Sequence, residues 1–324
     1  MLMSVLLFAV GLVLLIKGGD WFVDGATGIA KRFNLPDIVV GATVVSIGTT
    51  LPEVMVSTTG ALAGSGAMAY GNAIGSIICN TALIAAISIT CNPGPVNVKS
   101  MKTPAVFFFC AAAIYCLAAY GLGTFPRWLG FIMLTVFAVY MIMTVRNGLK
   151  NPDASAEEEE EAGKERKLWQ ELLLLIVGAA VIAVGADLLV EHGQIIAIGL
   201  GVPETVVALL FVALGTSLPE LVTTITSLKK GRASLGVGNV IGANVFNLVL
   251  VSGVAVSLAP FDVPVENTLL NTGLNLSLVF DIPVMLLVMS LMIFPALAKK
   301  KLGRWQGIAL LGIYAAFCVC QFVL

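Results

Sequence analysis

Charged side chains are scarce in this chain of 324 residues. Asp, Glu, Lys and Arg make up 11% of it, whereas 58% is hydrophobic, and the mean hydropathy is +1.00. A water-soluble domain of this size could not bury that much apolar surface. Apolar runs of about 20 residues, long enough to cross a bilayer as a helix, recur along the chain. Because they do not alternate as barrel strands do, we predict an all-α integral membrane protein in a lipid bilayer.

Several functional classes also lack their usual signals. The net charge of −1 gives no reason to expect a nucleic-acid partner, and the six cysteines form no C-x-x-C pair and no zinc spacing. The sequence contains no nucleophile–base set and no cofactor loop. We therefore expect neither an enzyme nor a resident cofactor, and no obligate protein partner is evident.

Ten apolar segments are present instead. They predict membrane-spanning helices near 1–17, 37–63, 67–90, 104–120, 127–146, 170–190, 204–228, 234–259, 272–298 and 305–323. The first segment has no basic stretch before it and no convincing cleavage site after it, so we interpret it as a retained span rather than a signal peptide.

One hydrophilic segment divides the chain into two groups of five spans. It contains five consecutive glutamates at 157–161, and we predict a first repeat over 1–147, an acidic loop over 148–169 and a second repeat over 170–324. If the N-terminus lies outside, all of the 18 Lys and Arg residues except Arg127 fall on the inner side. The positive-inside rule then places both termini outside and loop 148–169 in the cytoplasm, in the cell (plasma or inner) membrane.

The two groups of spans are repeats of each other. A shift of 167 residues aligns three spans without a gap and places Gly18 on Gly185 and Glu53 on Glu220. Because each repeat has an odd number of spans, the second must lie inverted in the membrane. Inverted repeats are common in secondary transporters, whose site lies near the midplane where the repeats meet.

A polar hexapeptide interrupts each repeat, as Gly-Thr-Thr-Leu-Pro-Glu at 48–53 and Gly-Thr-Ser-Leu-Pro-Glu at 215–220. A carboxylate in mid-membrane costs on the order of 3 kcal/mol or more, and two nearby carboxylates repel unless a cation lies between them. Each proline also leaves the carbonyl four residues earlier without its helical N–H donor. Oxygen ligands of these kinds suit Ca²⁺ and Na⁺. The alternatives are a packed pair of protonated glutamates and ordinary proline kinks.

A second matched segment follows at 71–80 and 238–247, and both copies contain Gly-Asn-x-Ile-Gly. Glycines four residues apart permit close packing of helices. Ser76 and Asn80 share one helix face, as do Ala243 and Asn247. Asn80 and Asn247 could each place an oxygen between the two glutamates, and hydrogen bonds between helices are the alternative role.

These paired motifs in inverted halves of five spans resemble the α-repeats of the cation/Ca²⁺ antiporters, in particular those of prokaryotic Na⁺/Ca²⁺ exchangers. The resemblance implies ten helices, with four central helices around the ions and spans one and six sliding across them. It also implies eleven cation-site residues, grouped by role: Glu53, Glu220, Thr49 and Thr216 for Ca²⁺; Thr50 and Ser217 for a cytoplasmic Na⁺; Ser76 with the carbonyls of Ser46 and Ala213 for an outer Na⁺; and Asn80 and Asn247 at the middle position.

Three positions depart from the pattern of that family. The chain has Asn247 where relatives have aspartate, Ala243 where they have serine, and Ile77 where they have asparagine. We therefore expect exchange of Ca²⁺ for Na⁺ by alternating access, with the ions held between Glu53 and Glu220. H⁺/Ca²⁺ or K⁺-dependent exchange on the same fold is the alternative, ahead of a passive cation channel.

Overall fold

The structure is a computed structural model that describes residues 2–150, 166–200, 215–264 and 275–323. These residues form ten helices: α1 (Leu2–Arg32), α2 (Asp37–Leu62), α3 (Gly66–Cys91), α4 (Val98–Leu122), α5 (Arg127–Lys150), α6 (Leu168–Gly199), α7 (Leu218–Lys229), α8 (Ala233–Leu258), α9 (Ser277–Lys299) and α10 (Arg304–Val323). Over the described residues alone, eight of these helices, α1 to α6, α8 and α9, are long and apolar enough to cross a membrane. The predicted class, an all-α membrane protein of about ten helices, is confirmed.

Each predicted span overlaps one helix, but α1 and α6 extend well beyond the predicted ends. The first span was predicted to end at Lys17, yet α1 continues to Arg32. Lys17 is exposed whereas Gly18 and Phe22 are buried, so the helix keeps an apolar buried face past its first charge. Hydropathy averaged over all faces does not detect such a continuation. Residues 151–165 of the predicted loop and 204–214 of the seventh predicted span lie outside the described residues.

Two short antiparallel ribbons make the inverted symmetry visible. Strand β1 (Gly94–Pro95), between α3 and α4, pairs with β4 (Lys301–Leu302), between α9 and α10. Strand β2 (Thr124–Phe125), between α4 and α5, pairs with β3 (Phe261–Asp262), between α8 and α9. Exchanging the first five helices for the last five turns one ribbon into the other. This exchange is what two inverted repeats require.

Helices α1 and α6 pack along each other through matched glycines. A Cβ atom on Gly18 would lie 2.9 Å from the backbone N of Ile182, and one on Gly185 would lie 2.9 Å from the backbone O of Gly11. No larger side chain fits between these backbones, so glycine is required at both contacts. Helix α1 also packs against α7, next to a core in which α2, α3, α7 and α8 contact one another.

Ion pairs tie several elements together at one end of the bundle. Lys230, after α7, lies 2.7 Å from Asp24 of α1, and Arg32 at the end of α1 lies 3.4 Å from Glu171 at the start of α6. The sequence predicted that Arg32 and Lys230 lie on the same side of the membrane, and the structure places both near the C-terminal end of α1.

Candidate cation-binding site

Two carboxylates lie inside the four-helix core, one from each repeat. Glu53 of α2 and Glu220 of α7 are both 0% exposed. Among the described residues, none of their carboxylate oxygens has a hydrogen-bond partner. The two groups are close enough to interact electrostatically, and the carboxylate of Glu220 lies beside the hydroxyls of Thr49 and Thr50 from the other repeat. A buried carboxylate without a partner is costly, so this arrangement favours a bound positive charge.

The two prolines of the hexapeptides lie in different helical contexts. Pro52 is inside α2, where it removes a hydrogen bond from the helix interior. Pro219 is in the first turn of α7, where its missing N–H has no helical partner in any case. The two prolines, which sequence reasoning treated alike, therefore interrupt their helices at different places in the described structure.

Each central asparagine stands where its helix widens into a π-helical turn. These turns are Asn80–Ala85 in α3 and Asn247–Val251 in α8, and such widened turns often occur at functional sites. Both amide side chains are 0% exposed and have no hydrogen-bond partner among the described residues. The turn at Asn80 packs against α7, and the turn at Asn247 packs against α2. Each asparagine thus begins a turn that packs against the helix carrying the glutamate of the opposite repeat.

A reciprocal pair of hydrogen bonds joins the two repeats beside the glutamates. Thr49 donates to Oδ1 of Asn239 at 3.1 Å, and Thr216 donates to Oδ1 of Asn72 at 3.4 Å. Asn72 and Asn239 are a matched pair under the 167-residue shift. Sequence reasoning did not select them as site residues, although both begin the second matched segment as its Gly-Asn.

The other predicted site residues lie in or beside the core. Ser217 is 1% exposed, and Ser76 is 3% exposed on the face of α3 that carries Asn80. Ser46 donates to the carbonyl of Gly41 at 2.8 Å and lies 3.0 Å from that of Asn239. Ala213 lies outside the described residues.

Glycine packing in the second matched segment is confirmed for the second repeat. A Cβ atom on Gly242 would lie 2.6 Å from Cα of Ala42, so α8 touches the backbone of α2. In the first repeat, the matched glycine is Gly75, and the counterpart of Ala42 is residue 209, outside the described residues.

The groups that converge here are oxygens: two carboxylates, threonine and serine hydroxyls, and asparagine amides. Nowhere in the described ranges do three or more His, Cys, Asp or Glu side chains form a metal-binding group. This donor set suits hard cations such as Ca²⁺ and Na⁺ rather than transition metals, which favour imidazole and thiolate ligands.

A narrow cavity connects this region to the α1–α6 pair. It has a volume of about 10 Å³, and its walls come from both hexapeptides and from α1 and α6: Phe22, Gly48, Thr49, Pro52, Ala179, Ile182, Ala183 and Pro219. A space of that size holds about one water molecule. The α1–α6 pair therefore covers one side of the candidate site.

Comparison with known proteins gives a consistent result. Residues 3–146 and 171–323 match the family described as sodium/calcium exchanger protein. The chain is 34% identical over 307 residues to an uncharacterised membrane protein of Methanocaldococcus jannaschii, covering 95% of this chain and 94% of that protein. It is 28% identical to the sodium/calcium exchanger MaX1 of Methanosarcina acetivorans, covering 98% of each chain.

A solved structure with a similar fold supports the same assignment. It is that of the sodium-calcium exchanger NCX_Mj soaked with Na⁺ and Sr²⁺, which superposes with a TM-score of 0.78 at 32% identity and covers 98% of both chains. The family match spans nearly all of both repeats and leaves out mainly the loop between them. The chain therefore belongs to the sodium/calcium exchanger family.

Proposed function

We propose that this protein is a secondary antiporter that exchanges Ca²⁺ for Na⁺ by alternating access, with the ions held between Glu53 and Glu220. One observation carries the proposal. Two fully buried carboxylates, from matched positions of inverted repeats, lie together and lack a hydrogen-bond partner in the described part of the chain. A cation supplies the missing interaction, and the inverted repeats supply two equivalent routes to it.

Charge balance explains why the two ions exclude each other. The two glutamates carry about two negative charges, which one Ca²⁺ or two Na⁺ neutralise. Binding both kinds of ion at once would leave a net positive charge in a low-dielectric interior, which is costly. Ca²⁺ and Na⁺ therefore compete for one site, and competition at a site open to one side at a time produces exchange. A third Na⁺ would make the cycle electrogenic.

The resemblance to the paired motifs of the family supplies the roles of the remaining ligands. Thr49 and Thr216 join the glutamates at the Ca²⁺ position, and Thr50 and Ser217 contribute to a Na⁺ position on the cytoplasmic side. Asn80 and Asn247 lie at the middle position. Ser76 and the carbonyls of Ser46 and Ala213 line an outer Na⁺ position.

Movement of α1 and α6 as a pair gives each side access in turn. Their mutual contact is long and close, and together they wall the small cavity beside Thr49 and Pro219. A rigid pair that covers the site can open one side when it shifts along the core. In this scheme both termini lie outside, loop 148–169 is cytoplasmic, and the repeats extend over 1–147 and 170–324. Labelling of single introduced cysteines with an impermeant reagent tests that orientation.

The decisive experiment is uptake of radioactive Ca²⁺ into vesicles that contain the purified protein. Outward gradients of Na⁺, K⁺ and H⁺ are imposed separately, and we expect uptake with the Na⁺ gradient alone. Glu53→Gln should abolish that uptake, whereas Asp262→Asn, an exposed carboxylate in β3, should leave it unchanged. Uptake driven by H⁺ without Na⁺ would assign the alternative coupling. Conductance that needs no counter-ion would indicate a channel.

A further inference from the structure

Helix α7 has a polar face that continues past Glu220 towards the end of the helix at Lys229. Thr223, Thr224 and Ser227 follow Glu220 by three, four and seven residues, which places all four side chains on one face. Each is at most 1% exposed. The three hydroxyls have no hydrogen-bond partner in the part of the chain that the structure describes. None of them belongs to the ligand set proposed above.

Helical hydroxyls commonly find a partner in their own helix. Serine and threonine often donate to the carbonyl four residues earlier, as Thr43 does to Val39 at 2.7 Å and Thr59 does to Met55 at 2.8 Å. A buried hydroxyl without a partner is unfavourable, and α7 places three of them next to one another. Such a face favours a polar guest, either water or a cation.

The hydroxyl face of α7 is turned towards α3 and α8. Helix α7 packs against α8, against the π-helical turn that begins at Asn80, and against the end of α3. A Cβ atom on Gly236 of α8 would lie 3.2 Å from Cγ2 of Thr224. Another flank of α7 faces α1, where a Cβ atom on Gly19 would lie 2.9 Å from Oγ1 of Thr226. The three hydroxyls therefore continue the line of Glu220 inside the four-helix core.

A cavity of about 320 Å³ opens at the same end of α7. Its walls include Ser88 near the end of α3, Ser234 and Val237 near the start of α8, and Gly231, which follows α7. Gly231 comes one helical turn after Ser227. The hydroxyl face thus runs between this cavity and Glu220, along the same two helices.

A matched cavity exists at the other end of the fold. It has a volume of about 520 Å³ and is lined by residues 63–67, after α2, and 260–264, after α8. The 167-residue shift places these ranges on 230–234 and 93–97, and most residues of those two ranges line the first cavity. The inverted repeats therefore produce one cavity at each end.

The hydroxyl face itself is not matched. The first repeat has Val56, Ser57 and Gly60 in place of the three hydroxyl residues of α7. Ser57 is already partnered, because it accepts from Nδ2 of Asn72 at 2.8 Å. Gly60 is covered by Met68, whose Sδ would lie 2.8 Å from a Cβ atom there. The lining of hydroxyls without partners therefore belongs to one end of the fold.

We propose that Thr223, Thr224 and Ser227 form an uncharged subsite that receives a partly hydrated Na⁺ between the cavity at Gly231 and Glu220. Hydroxyl oxygens offer lone pairs to a cation and replace part of its water shell. Because the three side chains carry no charge, they offset the desolvation of Na⁺ better than that of doubly charged Ca²⁺. The inference rests on the proposed function, since it assumes that Na⁺ reaches the pair formed by Glu53 and Glu220.

The test measures exchange separately at the two faces of the membrane. Vesicles of uniform orientation are loaded with radioactive Ca²⁺, and its release is followed at increasing external Na⁺. Thr223→Val and Ser227→Ala should each raise the Na⁺ concentration for half-maximal release about fivefold at the face where α7 ends, the scale of one hydroxyl. The value at the opposite face should not change. Thr59→Val is the control, because this exposed hydroxyl donates to carbonyls of its own helix.

Thermal stability separates the subsite from a structural role. Replacing a buried hydroxyl that has no partner by a methyl group should leave the melting temperature of the Na⁺-free protein unchanged or raised. A hydroxyl that holds α7 to α3 or α8 would instead lower that temperature and shift the Na⁺ dependence at both faces alike. Ser227→Ala and Thr224→Val provide the same comparison if Thr223→Val does not fold.

The outcomes distinguish the subsite from the antiporter itself. The subsite is wrong, and the antiporter stands, if the wild type exchanges Ca²⁺ for Na⁺ while the variants match it at the face where α7 ends. An equal shift at both faces leads to the same conclusion. If the wild type shows no Na⁺-driven release from vesicles of either orientation, the proposed function fails and the subsite fails with it.

Discussion

The first and second repeats carry the same groups at the centre of the candidate site and different groups one helical turn away. Both present a glutamate and a threonine–asparagine bridge. Beside them, Ser76 of the first repeat is matched by Ala243 of the second. An ion on the axis between inverted repeats meets both copies equally, so both must supply charge. An ion displaced from that axis meets different atoms of each repeat, and there the sequences are free to diverge.

A second difference concerns how firmly each central asparagine is held. In the second repeat, Asn244 donates to Thr81 at 2.7 Å, and Ser252 donates to the carbonyl of Asn247 at 2.9 Å. The matched positions in the first repeat are Ile77 and Ala85, which have no polar side chain. Ser252 therefore fixes the carbonyl of Asn247 through a hydrogen bond that Ala85 cannot give to Asn80. The bond of Asn244 instead joins α8 to Thr81, which lies inside the π-helical turn that begins at Asn80.

The largest expected effect comes from making the two carboxylates unequal. Glu53→Gln or Glu220→Gln leaves one buried negative charge, too little to balance Ca²⁺, and loss of one partner of a buried charge pair costs about 3–5 kcal/mol. We expect Ca²⁺ uptake to fall by more than about 100-fold in both variants. Initial rates in Na⁺-loaded vesicles measure this. A large loss in one variant and near-normal uptake in the other would show that the repeats do not share the ion.

Next in size are the glycine contacts between α1 and α6. Gly18→Ala and Gly185→Ala each force a methyl group to within 2.9 Å of a backbone atom of the opposite helix, and overpacking of this kind costs about 1–3 kcal/mol. Both should lower the melting temperature of the detergent-solubilised protein by similar amounts. Gly312→Ala in α10 is the control, since its Cβ would meet no atom within 4 Å. Equal stability of all three variants would contradict the packing described for α1 and α6.

These contacts also show where sequence reasoning succeeds and where it stops. The number of helices and the inverted repeats could be predicted, because apolar length and the 167-residue match are properties of the chain alone. The full length of α1 could not, since its continuation past Lys17 depends on α6 and α7 covering one face. The positions of Glu53 and Glu220 in the core could be predicted from the cost of burying charge.

The hydrogen bonds of Asn72 were beyond sequence reasoning for a different reason. An asparagine in a Gly-Asn-x-Ile-Gly motif is compatible with helix packing, ion binding or neither, and the motif alone does not show which groups its amide contacts. In the structure, its amide contacts the carbonyl of Glu53 and the hydroxyl of Thr216, which are distant in sequence. The symmetry of the motif indicates that the residue matters but cannot say what it contacts.

A smaller effect is expected when Ser76 and Ala243, the matched positions at which the two repeats differ, are given the same side chain. Ala243→Ser restores a hydroxyl at the position matched to Ser76, and Ser76→Ala removes the existing one. One hydroxyl ligand is worth about 1 kcal/mol, or roughly fivefold in affinity. We expect the apparent Na⁺ affinity of exchange to rise in Ala243→Ser and fall in Ser76→Ala, with Ca²⁺ affinity changed by less. Changes of the same sign in both variants would mean that these positions do not bind Na⁺ as hydroxyl ligands.

The smallest effect concerns the two ends of the α1–α6 pair. Lys230 bridges Asp24 and Asp20 of α1, with Nζ–Oδ1 distances of 2.7 and 3.6 Å. The 167-residue shift places Ala63 where Lys230 stands, opposite the acidic residues of α6 that match those of α1. An exposed ion pair contributes about 0.2–1 kcal/mol. Lys230→Ala should therefore change the ratio of Ca²⁺ affinities at the two faces of the membrane by no more than about fivefold. Ala63→Lys adds a cation at the opposite end and should shift that ratio the other way, as oriented vesicles can measure.

Both effects should weaken in high salt, because partly exposed pairs are screened. If the two variants shift the ratio in the same direction, the ends do not act as opposed restraints on α1 and α6.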